Sequence, residues 1–138
     1  MHRFAVLLIA VGVIAGGTIA GASSSSGRTS SAYALVDPNG GSPQLIAAHT
    51  HGFTAVSVGP FGEGDYCLTP SAGIDVTDPA AVASEEAFYS NAAGFPTVRY
   101  PTTGPSCPAG QLEVKTFVDT PSTALSDEIA FTVVVPQT

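Results

Sequence analysis

Two histidines separated by a single residue, His49 and His51, are the first candidates for chemistry in this chain. On an extended strand, residues two apart point to the same face, so both imidazoles would be able to contact one metal ion. A zinc site needs a third and usually a fourth ligand, and no obvious third histidine or free cysteine accompanies the pair. Gly52 follows at once and favours a turn. We therefore expect a solvent-exposed histidine pair and no metal site.

The only two cysteines, Cys67 and Cys107, suggest a different chemistry. Neither belongs to a C-x-x-C motif and no histidine is close to either in sequence, which argues against a redox pair or a nucleophile. A cysteine pair in an exported chain is usually oxidised, because no thioredoxin or glutathione system keeps it reduced. We predict a structural disulfide that pins the proline-rich turn containing Cys107 to the body of the domain.

Acidic side chains are more numerous, but they form no recognisable site. None fits the D-x-[DN]-x-[DN]-G pattern of a calcium loop, and turn formation with surface charge accounts for them. The G-x-S-x-G motif is absent and no acidic pair sits beside a plausible acid–base partner, so we expect no catalytic residue and no cofactor. The acidic loop groups are Asp37 with Asn39, Glu63 with Asp65, and Asp75 with Asp78.

Two phenylalanines are unusual because of their neighbours. Phe61 lies in Gly-Pro-Phe-Gly and Phe95 in Gly-Phe-Pro, both typical of loops. An aromatic ring at a loop tip often serves recognition. The alternative is that each ring folds back to cap the end of the domain. We take Phe61 and Phe95 as candidate binding residues and predict that at least one of the rings is more than half exposed.

Short apolar runs between Gly, Pro, Asp, Asn and Ser residues indicate the strands that must position these side chains. Apolar and polar residues alternate most clearly over residues 111–118. Glu113 and Lys115 share the polar face, as expected for a strand with one side in water. Residues 129–135 are nearly all apolar, which indicates a more central strand. The predicted strands are residues 32–36, 44–48, 53–58, 65–69, 97–100, 111–118 and 129–135.

Residues 78–91 allow two interpretations. Asp78-Pro79 is typical of a helix start and the alanines that follow favour a helix, whereas Ala81, Ala83 and Glu85 alternate as in a strand. The surrounding β pattern favours the strand. Seven or eight strands predict an all-β, antiparallel, sandwich-like domain or a small barrel. An immunoglobulin domain is not predicted, because the chain has no tryptophan between its cysteines.

The amino terminus is typical of a secretory signal peptide. A short basic start precedes an uncharged apolar run over residues 4–20, and Ala20-Gly21-Ala22 suits a signal peptidase. We expect a signal peptide at 1–22 with cleavage after Ala22, a Ser-rich flexible tether at 23–31 and a single domain at 32–138. An uncleaved anchor is the alternative, and it is the one way in which the chain would contact a membrane.

Charge restricts the classes of partner. Charged residues make up 11% of the 138 residues, the formal net charge is −7 and only four residues are Lys or Arg. A nucleic-acid binder needs clustered Lys and Arg to displace counterions from phosphate, so this class is excluded. The length suits one domain.

Several short motifs together resemble a group of small exported β-domain proteins of high-GC Gram-positive bacteria. The resemblance covers most of the chain after Ser31 and implies a disulfide-pinned, exported β-domain with no catalytic residues. The shared motifs are Ala-Tyr-Ala at residues 32–34, Gly-x-Tyr-Cys-Leu at 64–68, Gly-Ile-Asp at 73–75, Cys-Pro-x-Gly-Gln-x-x-Val at 107–114 and Phe-x-Val-Val-Val-Pro at 131–136.

These observations lead to one expectation of function and one alternative. We expect a secreted or otherwise extracytoplasmic, acidic, non-catalytic binding module with an extracellular ligand or surface partner. The alternative is a small secreted hydrolase or an enzyme inhibitor. A convergent Ser/His/Asp cluster in a deep pocket would favour the hydrolase, and a shallow surface with exposed aromatic rings would favour the binding module.

Overall fold

The chain folds into eight β-strands, described by a computed structural model over residues 31–77, 80–99, 106–119 and 124–137. Within these ranges no helix is long and apolar enough to cross a membrane. The predicted signal segment and nearly all of the tether lie outside the described residues. The strands are β1 Ala32–Asp37, β2 Gln44–His51, β3 Phe53–Gly59, β4 Gly62–Pro70, β5 Val82–Glu85, β6 Gly94–Arg99, β7 Leu112–Val118 and β8 Phe131–Val135.

The strands form two four-stranded sheets, and every pairing is antiparallel. The first sheet has the order β2-β1-β8-β5 and the second the order β3-β4-β7-β6. The prediction of an all-β, antiparallel, sandwich-like fold is confirmed. The apolar run near the carboxyl end becomes β8, which lies between β1 and β5, so its predicted central position is also correct.

The core lies between the inner faces of the two sheets. Every second residue of β1 and β8 points inward, and in β1 this explains why Ala32, Ala34 and Val36 alternate with larger or polar residues. Tyr66 and Phe131 are the largest fully buried side chains, and their ring centroids are 5.6 Å apart. The buried cluster comprises Ala32, Ala34, Val36, Phe53, Tyr66, Leu68, Val76, Leu112, Val114, Phe131, Val133 and Val135.

Tyr66 carries the one hydroxyl placed directly in this buried cluster. Burial raises its pKa to about 12, because the phenolate would lose its hydration inside the sandwich. The hydroxyl therefore stays protonated at any physiological pH.

Gly52 lets the chain pass from the first sheet to the second. It separates β2 from β3 and has φ +80°, a conformation that other residues rarely adopt. A Cβ at this position would lie 2.7 Å from the Cβ of Ala32. The turn predicted from Gly52 is therefore present. It follows both histidines in the chain, so His49 and His51 belong to β2.

The disulfide between Cys67 and Cys107 is present, and the two Cα atoms are 5.5 Å apart. Both residues are buried, at 2% and 7% exposure. Cys67 belongs to β4, and Cys107 precedes β7 by a few residues, so the bond ties the approach to β7 onto the neighbouring strand. This pairing confirms the prediction made from the cysteine count.

The ambiguous segment is part strand and part turn. Val82–Glu85 forms β5 at the edge of the first sheet, as the alternation favoured, and the chain then turns at residues 86–91. Asp78 and Pro79 lie outside the described residues. The predicted strand over 97–100 begins earlier, at Gly94, so Phe95 belongs to β6 and not to a loop.

The outer face of β7, which we expected to be in contact with water, is covered. Glu113 and Lys115 lie on the outer face of β7, yet they are only 2% and 7% exposed. The alternation correctly predicted which side chains share a face. It was wrong about solvent, because the β3–β4 hairpin tip carries Phe61 over this face and the two charges contact each other.

Candidate functional site

The two phenylalanines singled out from the sequence lie on the outer face of the second sheet. Phe61 is 47% exposed and Phe95 is 42% exposed, so the expectation that at least one ring is more than half exposed was wrong. The amine of Lys115 lies 3.4 Å from the centroid of the Phe61 ring, and Phe95 stacks on Phe117 at 5.4 Å. Each ring therefore has one side engaged within the domain. Their role in binding stays a prediction.

Three charged side chains, Asp65, Glu113 and Lys115, are buried near Phe61, and the partly exposed Arg99 joins them at the edge. The Glu113 carboxylate lies 3.5 Å from both the Arg99 guanidinium and the Lys115 amine. Beside them Asp65, which is fully buried, accepts a hydrogen bond of 3.0 Å from the backbone N–H of Phe61. A side chain at Gly59 would collide with that carboxylate, so glycine lets the hairpin close over it. These contacts position Phe61 and stabilise the hairpin.

We expect the substitution Glu113→Ala to lower the free energy of unfolding by about 2–3 kcal/mol, because it leaves Lys115 without its acid partner in a buried setting. Urea denaturation measures the loss. The variant Glu113→Gln should lose less stability than Glu113→Ala, since its amide oxygen keeps an acceptor beside Lys115 and Arg99. The substitution Glu85→Ala, at an exposed site, serves as the control. A Glu113→Ala protein as stable as the Glu85→Ala protein would contradict this interpretation.

The two histidines lie on β2 and both are exposed, as expected. His51 pairs in register with Tyr33 of β1, and their ring centroids are 5.8 Å apart. His49 lies two residues earlier on the same strand. In the part of the chain that the structure describes, no three His, Cys, Asp or Glu side chains come close enough to hold a metal ion.

The outer face of the first sheet carries a groove of about 410 Å³, which we call the aromatic groove. Leu35 and Thr132 pair in register across β1 and β8, and Leu35 is only 5% exposed, so these two residues form the floor. The full lining comprises Tyr33, Leu35, His49, Glu86, Phe88, Tyr89 and Thr132.

Residues 86–91, which we call the 86–91 turn, form one wall of the aromatic groove. Hydrogen bonds hold both ends of the turn to the segment before β8. The Glu86 N–H donates to the carbonyl of Ala130 at 2.9 Å, and the Asn91 N–H donates to the carbonyl of Glu128 at 2.8 Å. The Ser90 hydroxyl accepts from the Ala130 N–H at 2.9 Å and donates to the carbonyl of Glu86 at 2.9 Å. The turn is therefore braced at both ends.

Phe88 projects from this braced turn with 84% of its surface exposed, more than any other large apolar side chain in the described residues. Its ring meets the Tyr89 ring edge to face, with centroids 5.0 Å apart and planes at 78°. Tyr33, on the opposite side of the groove, is 42% exposed. The groove thus presents three aromatic rings together with the Glu86 carboxylate and the His49 imidazole.

Tyr33, Phe88 and Tyr89 were not among the site residues predicted from the sequence. Two signals were available. Phe88 and Tyr89 are adjacent bulky rings in a stretch otherwise rich in alanine and serine, and Tyr33 alternates with Ala32 and Ala34, which must face the core. What no local pattern could show is that the turn after β5 and the strand that carries Tyr33 line one groove.

The fold and this surface define the protein as a two-sheet, disulfide-bonded β-sandwich with an aromatic groove on its first sheet. Comparisons of the chain with protein-family models, with curated proteins and with solved structures gave no match. Function must therefore be inferred from the groove itself.

Proposed function

We propose that this protein is an extracytoplasmic, non-catalytic binding module, and that the aromatic groove is its recognition surface. The observation that carries the proposal is the Phe88 ring, 84% exposed on a turn whose ends are both hydrogen-bonded to the body of the domain. Aromatic side chains are enriched at protein interfaces and among the few residues that carry most of the binding energy.

The bracing of the turn favours binding for an energetic reason. A ring so exposed contributes little burial to folding, whereas fixing it in advance removes much of the ordering cost that a ligand would otherwise meet. Leu35 adds a buried apolar floor, and Tyr33, His49, Glu86 and Thr132 supply polar atoms around it. A mostly apolar concavity with a few polar groups at its margin is typical of sites for small ligands.

The compartment in this proposal is supported by the disulfide. Cys67 and Cys107 are bonded and buried, which is consistent with an oxidising environment outside the cytoplasm. The net charge of −7 favours solubility and repels anionic polymers, in keeping with a partner that is not a nucleic acid.

Amide NMR of the oxidised, isotope-labelled protein tests the proposal. Three probes of different chemistry are titrated separately: choline, chitotriose and benzamide. We expect at least one probe to shift amides of residues 33–35, 49, 86–89 and 132, and we expect Phe88→Ala to weaken that probe about tenfold, as loss of a central aromatic contact does.

The substitutions Phe61→Ala and Phe95→Ala are the matched comparisons on the second sheet. If the aromatic groove is the recognition surface, they leave the affinity of the probe unchanged. Shifts centred on Phe61 or Phe95 would transfer the binding site to the second sheet and to the two rings singled out from the sequence. The absence of shifts at millimolar concentrations of all three probes would overturn the proposal.

A further inference from the structure

Positive charge is distributed very unevenly over the two sheets. Arg99 and Lys115 are the only Lys or Arg residues within the described ranges. Both lie on the second sheet, and the charged group of each is 3.5 Å from the Glu113 carboxylate. The described part of the first sheet therefore has no lysine or arginine on either face. Among the described residues, a ligand in the aromatic groove therefore meets the carboxylate of Glu86 and no lysine or arginine.

One acidic side chain lies where the 86–91 turn forms the wall of the groove, and two more acidic residues occur near the ends of the turn in the chain or in its hydrogen bonding. Glu86 lines the groove, and Glu85 precedes it as an exposed residue at the end of β5. Glu128, also exposed, lies opposite the far end of the turn, where its carbonyl accepts from the Asn91 N–H. Glu86 thus places one carboxylate beside the aromatic wall of the groove, which is complementary to a cation.

The rings of the groove suit a cation as well. The faces of aromatic rings carry partial negative charge and attract ammonium groups within about 6 Å of the centroid. Phe88 and Tyr89 meet at 78°, so their faces form a corner. The second sheet shows the same interaction inside this protein, where the amine of Lys115 lies 3.4 Å from the centroid of Phe61.

We propose that the aromatic groove binds a small organic ammonium ion, with its charged nitrogen against the rings of Phe88, Tyr89 and Tyr33 and its charge balanced by Glu86. The inference rests on the proposed function and specifies its ligand class. An ammonium fits better than a guanidinium, which pairs best with both oxygens of a carboxylate. One oxygen of Glu86 already accepts the Phe88 N–H at 3.2 Å, which leaves the other for a single charge.

Calorimetric titration with choline and with its uncharged analogue 3,3-dimethylbutan-1-ol tests the inference, because the two molecules have the same shape and differ in charge. We expect choline to bind at least about tenfold more tightly than the alcohol. The substitution Glu86→Gln keeps an acceptor for the Phe88 N–H and removes the charge, so it should weaken choline about tenfold and leave the alcohol unchanged.

The substitution Phe88→Leu should weaken choline about fivefold to tenfold, and Phe95→Leu, the same change on the second sheet, should have no effect. Equal affinity for choline and the alcohol, or a Glu86→Gln protein that binds choline normally, would overturn the ammonium inference. If chitotriose or benzamide binds the groove instead and is lost in Phe88→Leu, the proposed function stands and the ammonium inference falls. If no probe binds the groove, both fall.

Discussion

Replacing both cysteines by alanine is expected to lower the free energy of unfolding by about 4 kcal/mol. The bond between Cys67 and Cys107 closes a loop of 40 residues, and in the chain-entropy model a loop of this length restricts the unfolded chain by about that amount. Alanine is the suitable replacement because both positions are buried, and serine would add a buried hydroxyl.

Urea denaturation of the wild type and the Cys67→Ala/Cys107→Ala variant measures this loss. The reduced wild type, kept in dithiothreitol, should unfold with nearly the same midpoint as the variant, because both lack the link. A loss below about 1 kcal/mol would show that the described contacts of β4 and β7 hold the sandwich without help from the bond.

Truncating Phe131 to alanine is expected to cost about 4 kcal/mol, as removal of a fully buried phenylalanine ring commonly does. Phe131 is 0% exposed on the central strand β8 and packs against Tyr66 across the two sheets. The substitution removes the ring and leaves a cavity that neighbours from both sheets line.

The substitution Phe88→Ala is the matched control, since it deletes the same ring from a site that is 84% exposed. We expect it to change the free energy of unfolding by no more than about 0.5 kcal/mol. The contrast between the two variants separates rings that hold the fold together from a ring available to a ligand. A Phe88→Ala protein destabilised as strongly as Phe131→Ala would show that Phe88 packs against the domain, and would remove the basis of the proposed function.

Much of the fold was predictable because its signals are local. Glycine, proline and asparagine mark the turns, and apolar alternation marks the strands, so seven predicted strands overlap observed ones with differences at their ends. The disulfide was predictable for a different reason, because only one pairing of two cysteines exists. Inward-facing positions of β1 and β8 also follow from alternation alone, since each second residue of a strand points the same way.

The candidate site was not predictable in the same way. Phe61 and Phe95 attracted attention through their glycine and proline neighbours, yet each has one side engaged, by Lys115 and by Phe117. The ring with the largest exposure is Phe88, in a segment where helix and strand propensities compete. Propensity describes the backbone, and it says nothing about which distant strand a turn lies against.

The sequence by itself determined the class of fold, the positions of most strands and the identity of the disulfide. Strands and turns depend on neighbouring residues in the chain, and two cysteines allow only one pairing. Only the tertiary structure decided how eight strands divide into two sheets, that Glu113 and Lys115 are buried beneath a hairpin tip, and that Tyr33 and Phe88 line one groove. Those features depend on contacts between residues far apart in sequence. The free energy of each such contact depends on which side chain lies opposite, and the pattern along one strand does not contain that information.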